Sequence, residues 1–441
     1  MFEQRPYQTE ALDAITAAYK RGLRSVLMVL PTGAGKTNVF VWLIARRRES
    51  GDMRPTLIVA HREELLSQAE ARVRVICPDL IVGIEQAGTR SPECADVVVA
   101  SVQTIGATSP RAGWLRPGLV IVDEAHHASA ATYGRVIDRY AGAETQVLGV
   151  TATPKRLDRQ ALHGMHGAAF EEVVYTYPIR RAIEEGYLVD LRGYRVQSDC
   201  DLTGVKTSGG DFAQGELARR VDDPARTMAA LEHWDRVASD RRTIVFAAGV
   251  QHAHHVAAAF QARGIRAAAV DGGTPREERQ QIVGAFRSGD LQVLCNCEIA
   301  TEGFDVPEAS CALMLRPTKS WGLYMQMAGR VARPAPGKDC AVIIDVVDNC
   351  RRHSLATVPA ILDLPPGMDL QGKGLAEAAR MLDEAGDRAS ILRGFEPRTF
   401  AELETTLQQV DLFAAIEPSP EVQHGRLTWL SMPGRYEVSC G

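Results

Sequence analysis

Residues 25–37 constrain the fold more than any other stretch. A run of mostly apolar side chains over 25–30 reads as a buried strand, and a helical pattern over 38–49 stops at Gly51. Between them lies Leu30-Pro31-Thr32-Gly33-Ala34-Gly35-Lys36-Thr37. Strand, small-residue loop, Lys-Thr and helix follow one another in the order that a phosphate cradle requires. Gly33 and Gly35 allow a tight turn whose amides converge on one anion, and the helix amino end adds partial positive charge. Thr32, Gly33, Ala34 and Gly35 then form the cradle, Lys36 reaches the β- and γ-phosphates, and Thr37 offers its hydroxyl to a magnesium ion. The strict pattern places a glycine where this chain has Leu30.

The remaining apolar runs tell how this loop is housed. Those at 56–60, 96–100, 119–122 and 147–150 are nearly continuous, and a helical stretch spans 62–75. Such runs belong to strands covered on both faces, which implies a parallel sheet between helical layers. A second series of the same kind starts at Thr243, with strands expected at 243–248, 267–270, 291–295, 312–315 and 341–346 and helices at 251–263 and 275–287. Residues 175–237 read as a connection and a helical opening of this second domain. After Asp348 the chain predicts an exposed amphipathic helix at 375–385, another over 397–412, and a small hairpin of 427–430 with 435–439. The expected domains are 1–174, 175–350 and a helical extension, 351–441, that ends in the hairpin.

Composition narrows the class of partner. Among 441 residues, 45% are apolar and 24% charged, and the net charge is −5. That balance argues against a protein that coats nucleic acid, so a polynucleotide belongs in a local channel. No apolar run has the length of a membrane span, and the first five residues lack a signal-peptide core. Nine cysteines without a C-x-x-C pair read as reduced thiols in a cytoplasmic protein. His252, His254 and His255 read as a solvated helix face rather than a metal site.

Asp123-Glu124-Ala125-His126 stands at the carboxyl end of an apolar strand, where an open parallel sheet places its ligands. There Asp123 would hold magnesium, and Glu124 would orient and deprotonate an attacking water. The ordered segments PTGAGKT, DEAH, GVTATP, TEGFD and QMAGRVAR resemble the motifs of superfamily 2 helicases of DEAD/DEAH-box type, over roughly residues 2–347. RPYQ and AHREELLSQ further resemble the branch of RadD-like, UvsW-like and XPB-like proteins and the motor subunits of type III restriction enzymes. The spacing of ASVQTI, LRPTKS and Q-x-x-G-R-x-x-R is most similar to RadD-like proteins, although no cysteine-rich metal-binding tail follows Asp348.

The resemblance implies two tandem RecA-like (P-loop NTPase) domains that hydrolyse ATP with Mg2+ in the cleft between them. It gives Arg5 and Gln8 the recognition of adenine, and Asp305 the ribose or the catalytic machinery. Thr151 and Thr153 become the elements that couple hydrolysis to the bound strand, with His126 as a bridge. Gln326, Arg330 and Arg333, at spacings of four and three, share one helix face; the resemblance directs them at the γ-phosphate. His61, Arg62, Gln103, Thr104 and Thr301 become contacts to a nucleic-acid backbone, DNA more than RNA, without reading bases. The implied activity is that of an ATP-dependent helicase or translocase. An RNA helicase, or an ATP-gated DNA clamp or nuclease-recruiting module without processive translocation, fits the same motifs.

Overall fold

The computed structural model describes residues 4–60, 63–107, 111–125, 131–152, 170–198, 200–208, 211–297, 306–348, 356–362, 364, 368–385, 398–405, 427–432 and 435–440. The first sheet has seven parallel strands: β1 (Ser25–Val29), β2 (Thr56–Ala60), β3 (Val82–Glu85), β4 (Val97–Ser101), β5 (Leu119–Asp123), β6 (Gln146–Thr151) and β7 (Glu172–Thr176). Their spatial order is β3-β4-β2-β5-β6-β1-β7. Every residue of β2, β4 and β5 is buried, as their unbroken apolar sequences require of strands between two helical layers. Helices α1 (Pro6–Lys20), α2 (Lys36–Glu49), α3 (Glu63–Ile76), α4 (Val102–Ile105) and α5 (Ala131–Tyr140) accompany this sheet. Pro6 opens α1, where a missing amide hydrogen costs nothing.

After α6 (Ile179–Glu184) the chain enters a six-stranded parallel sheet with β8 (Asp190–Ser198). A short antiparallel pair, β9 (Thr207–Ser208) and β10 (Asp211–Phe212), precedes α7 (Gln214–Val221) and α8 (Pro224–Val237). Then come β11 (Thr243–Phe246), α9 (Val250–Ala262), β12 (Ala267–Val270), α10 (Arg276–Ser288), β13 (Val293–Asn296), β14 (Cys311–Met314), α11 (Trp321–Val331) and β15 (Cys340–Asp348). The strand order is β12-β13-β11-β14-β15-β8. Two α/β domains with parallel sheets are therefore present, as expected. No helix among the described residues is long and apolar enough to cross a membrane.

Several elements differ from the sequence expectation. β3, β7 and β8 lie where no strand was expected, and β8 pairs with β15 over nine residues. In β8, exposed Arg192 stands between buried Leu191 and Gly193, because an edge strand is not covered like a central one. Such a pattern lacks the unbroken apolar run that marks a strand covered on both faces. His252 is 1% exposed and accepts from the Ala248 amide at 3.3 Å, whereas His254 and His255 pair with Asp271 and Asp222. The three histidines thus do not share one solvated face.

The helix Leu375–Ala385 was expected to be exposed, yet it buries Leu375, Ala378 and Ala379. Arg180 on α6 pairs with Asp383 of this helix, and Gly372 donates to the Gly193 carbonyl of β8 at 3.0 Å. The terminal hairpin is present as β16 (Leu427–Met432) and β17 (Arg435–Cys440).

Candidate active site

Parallel strands gather their carboxyl ends along one edge of a sheet, and the loop after β1 occupies that edge. Gly33 and Gly35 have φ of +91° and +77°, in the left-handed region that only glycine enters without strain. Gly35 caps α2, so Lys36 is its first residue and Thr37, half-buried, its second. Two side chains of α1 pin the loop from behind. The Tyr7 hydroxyl donates to the Ala34 carbonyl at 2.7 Å, and Gln8 Nε2 donates to the same oxygen at 3.3 Å. Burial raises the pKa of the Tyr7 phenol, which keeps it a donor.

The carboxylates stand opposite the loop. Asp123 ends β5 and its Oδ1 accepts the Glu124 amide at 3.0 Å. Glu124 has φ of +48°, a left-handed backbone unusual for a residue with a side chain. Its carboxylate lies 3.6 Å from Lys36 Nζ, with the two side chains 9% and 11% exposed. Thr151 closes β6, is fully buried, and takes the Leu30 amide on its carbonyl at 3.0 Å. The expected coupling threonine therefore abuts the first residue of the phosphate loop.

The second sheet contributes α11, whose N-cap Ser320 accepts from the Leu323 amide at 3.2 Å. Gly329 approaches the loop so closely that a Cβ on it would lie 2.5 Å from the Thr32 Cβ. Gln326 and Arg330, both buried, sit on the same helix. Arg333 does not share their helix face: α11 ends at Val331, and the turn that follows presents Arg333. Its Cγ and Nε would be 3.2 and 3.5 Å from a Cβ placed on Gly33. Arg333 thus reaches the phosphate loop from the second sheet.

Tyr7, Tyr177 and Tyr187 form an aromatic shelf beside the loop that the sequence reading missed. Tyr7 stacks on Tyr177 with centroids 4.0 Å apart and 7° between planes, and Tyr187 meets it edge-on. Tyr7 lies inside the RPYQ segment, whereas the other two have no motif to mark them. Gln8 Oε1 accepts the Arg5 amide at 3.0 Å, so an adenine would meet only the remaining donor and acceptor of this amide. The Arg5 side chain lies over the Tyr187 ring and donates to the Tyr7 hydroxyl; only its backbone supports Gln8.

Gln103, exposed, and Thr104, half-buried, occupy α4 at the carboxyl end of β4; Gln103 Oε1 accepts from Ser101 Oγ at 2.6 Å. His61, Arg62, His126, Thr153, Thr301 and Asp305 lie outside the described residues.

The donor set fits a polyphosphate. Left-handed Gly33 and Gly35 shape the cradle, and the Thr32 hydroxyl is buried without a hydrogen-bond partner among the described residues. Thr37 and Asp123 would supply oxygen ligands of the kind that magnesium prefers; when bound, the ion would offset phosphate charge.

The comparisons follow the same division. The family described as type III restriction enzyme, res subunit, matches residues 1–156, and the helicase conserved C-terminal domain family matches residues 226–335. IRC3 of Saccharomyces cerevisiae, which carries an ATP-dependent helicase name, is 34% identical over 357 residues, covering 78% of this chain and 51% of that protein. This chain therefore spans about half the length of that relative. The DNA 3'-5' translocase XPB2 of Sulfurisphaera tokodaii is 26% identical over 386 residues, 78% of this chain and 81% of that one. Among solved structures, the ATP-dependent type ISP restriction-modification enzyme LlaBIII bound to DNA superposes with a TM-score of 0.60 at 17% identity, over 94% of this chain and 33% of that one, a likeness of fold. Taken with the two family matches, these similarities establish that the chain belongs to the superfamily 2 helicases, related to the motor subunits of restriction enzymes.

Proposed function

We propose that this protein is an ATP-driven motor on DNA, a helicase or translocase that hydrolyses ATP between its two sheets. The observation that carries this reading is the approach of α11 to the phosphate loop, with Gly329 against Thr32 and Arg333 against Gly33. Residues from both sheets thereby face one site, as hydrolysis coupled to relative movement of two domains requires. Arriving phosphates compete for Lys36 and release Glu124, which lies 3.6 Å away, to take a proton from water. Arg330 and Arg333 then offset charge that develops on the transferring phosphoryl group, a contribution of about 10³ to 10⁵ in rate for such arginines.

DNA is the proposed track because a relative matched over 81% of its own length carries the name of a DNA translocase. Gln103 and Thr104, with the other expected contacts, offer amide and hydroxyl groups suited to backbone binding without sequence preference. A cytoplasmic setting accords with seven free cysteines among the described residues.

The test is ATP hydrolysis by the full chain, alone and with single-stranded, duplex and forked DNA and with RNA, at two salt concentrations, beside Lys36→Ala. Stimulation by DNA that disappears in Lys36→Ala is the expected result. Equal hydrolysis with every polynucleotide, or stimulation by RNA alone, overturns the DNA-motor reading. ATP-dependent displacement of a third strand from a triplex separates a travelling motor from a stationary clamp. Glu124→Gln is expected to bind ATP and to lose turnover; undiminished hydrolysis removes Glu124 as the base.

A further inference from the structure

Arg333 sits just past α11, so something other than the helix must hold it in place. The turn that follows, Pro334-Ala335-Pro336-Gly337, contains a left-handed Gly337 at φ +73° and closes with the Lys338 amide donating to the Ala335 carbonyl at 3.1 Å. This reversal brings the Lys338 side chain back beneath Arg333. Its ammonium donates to the carbonyls of Pro307 at 2.7 Å, Ala309 at 2.6 Å and Arg333 at 2.7 Å. An ammonium carries three hydrogens, so these bonds use its full donor capacity.

The three acceptors belong to two loop segments, separated in the chain by β14 and α11. Pro307 and Ala309 precede β14, whereas Arg333 belongs to the turn after α11. On the other side, the Val189 amide donates to the Ala332 carbonyl at 2.8 Å. Residues 332 and 333 are thus gripped from both flanks. Burial, and then the charge of Arg333, push the Lys338 pKa down to about 7. Like charges on the two residues favour an Arg333 side chain directed away from the ammonium, and its Cγ and Nε stand beside Gly33.

We propose that Lys338 is the positioning residue for Arg333: it fixes the backbone that delivers the arginine to the phosphate loop and ties that backbone to the 306–309 segment. The proposal rests on the reading of Arg333 given above. The plain alternative is a lysine that only closes its own turn.

The full chain with Lys338→Met, Arg333→Ala and both together tests it by two independent readouts. In hydrogen exchange without nucleotide, Lys338→Met is expected to deprotect both 306–309 and 332–337, and Arg333→Ala neither. Deprotection confined to 335–338, or none, overturns the proposal whether or not the protein hydrolyses ATP. In steady-state ATP hydrolysis, Lys338→Met is expected to lower kcat about 100-fold, as for a displacement of about 1 Å at a reacting centre, with KM for ATP within about twofold. The double variant is then no slower than Arg333→Ala, whereas additive losses show that the two residues act separately and overturn the proposal. If Lys338→Met does not fold, Lys338→Gln, which keeps two donors, carries both measurements. A wild-type chain that hydrolyses no ATP refutes the proposed function and leaves the exchange result to decide the place of Lys338.

Discussion

Glu124 holds the least comfortable backbone of the candidate site. Its φ of +48° costs about 1–2 kcal/mol for a residue with a Cβ, and the neighbouring Asp123 carboxylate fixes its amide. This strain directs the carboxylate toward Lys36. Glu124→Gly and Glu124→Ala both lose that carboxylate, but only glycine relaxes at this φ. Glu124→Gly is therefore expected to be more stable than Glu124→Ala by about 1 kcal/mol, against the usual ranking of the two residues, with hydrolysis lost in both. Thermal denaturation of the pair checks this, and the opposite order would mean that the left-handed backbone does not persist in solution. The identities of Asp123 and Glu124 were legible in the sequence because they follow an unbroken apolar strand. The positive φ was not, since the residue type at position 124 does not mark a left-handed backbone.

At the scale of elements, α11 decides whether the site can assemble. A Cβ at Gly329 would lie 2.5 Å from the Thr32 Cβ, and neither atom is the end of a flexible chain. Gly329→Ala is expected to fold, because alanine suits a helix interior, yet to separate α11 from the loop and lower kcat about tenfold or more. Unchanged kcat in this variant would show that the close approach is not needed for turnover.

A second feature anchors the same helix. Tyr324 of α11 donates its hydroxyl to Asp345 of β15, at 2.8 Å to Oδ2, and the Val358 amide donates to the same carboxylate at 3.2 Å. Burial pushes the Asp345 pKa up to about 7, against about 3.9 in an unfolded chain. The native state then holds the proton between these values, so this contribution to stability is present below about pH 4 and is lost as pH rises through 7. Asp345→Asn is expected to flatten that part of the stability profile. Denaturant midpoints from pH 4.5 to 7.5 for the two proteins measure it, and parallel profiles would contradict the shift. Neither Tyr324 nor Asp345 carried a sequence signal, for one looks like an ordinary core aromatic and the other like a strand-end acid.

Across the whole molecule, the passage between the sheets runs beside the site. Between β7 and β8 the chain places Leu188 near Gly33 and the Val189 amide on Ala332, so the connection touches both the phosphate loop and the arginine turn. The extension is joined to the same region, because its helix Leu375–Ala385 meets α6 through Arg180 and Asp383 and its 368–374 stretch packs on β8. An Arg180→Ala variant breaks an exposed pair and is expected to change stability by less than about 1 kcal/mol; a larger fall in melting would show that the extension depends on this contact.

The sequence alone determined the two α/β units, the loop chemistry and the order of the motifs. Each of these is local: an apolar run, a glycine at a turn, or a carboxylate at a strand end is readable wherever it stands. The tertiary structure decided that β8, with its half-polar pattern, completes the second sheet. It also decided that Arg333 reaches the loop from beyond α11 and that Lys338 binds carbonyls from two separate segments. Such facts arise from distant backbone brought within hydrogen-bond reach, and no spacing along the chain encodes a distance through space.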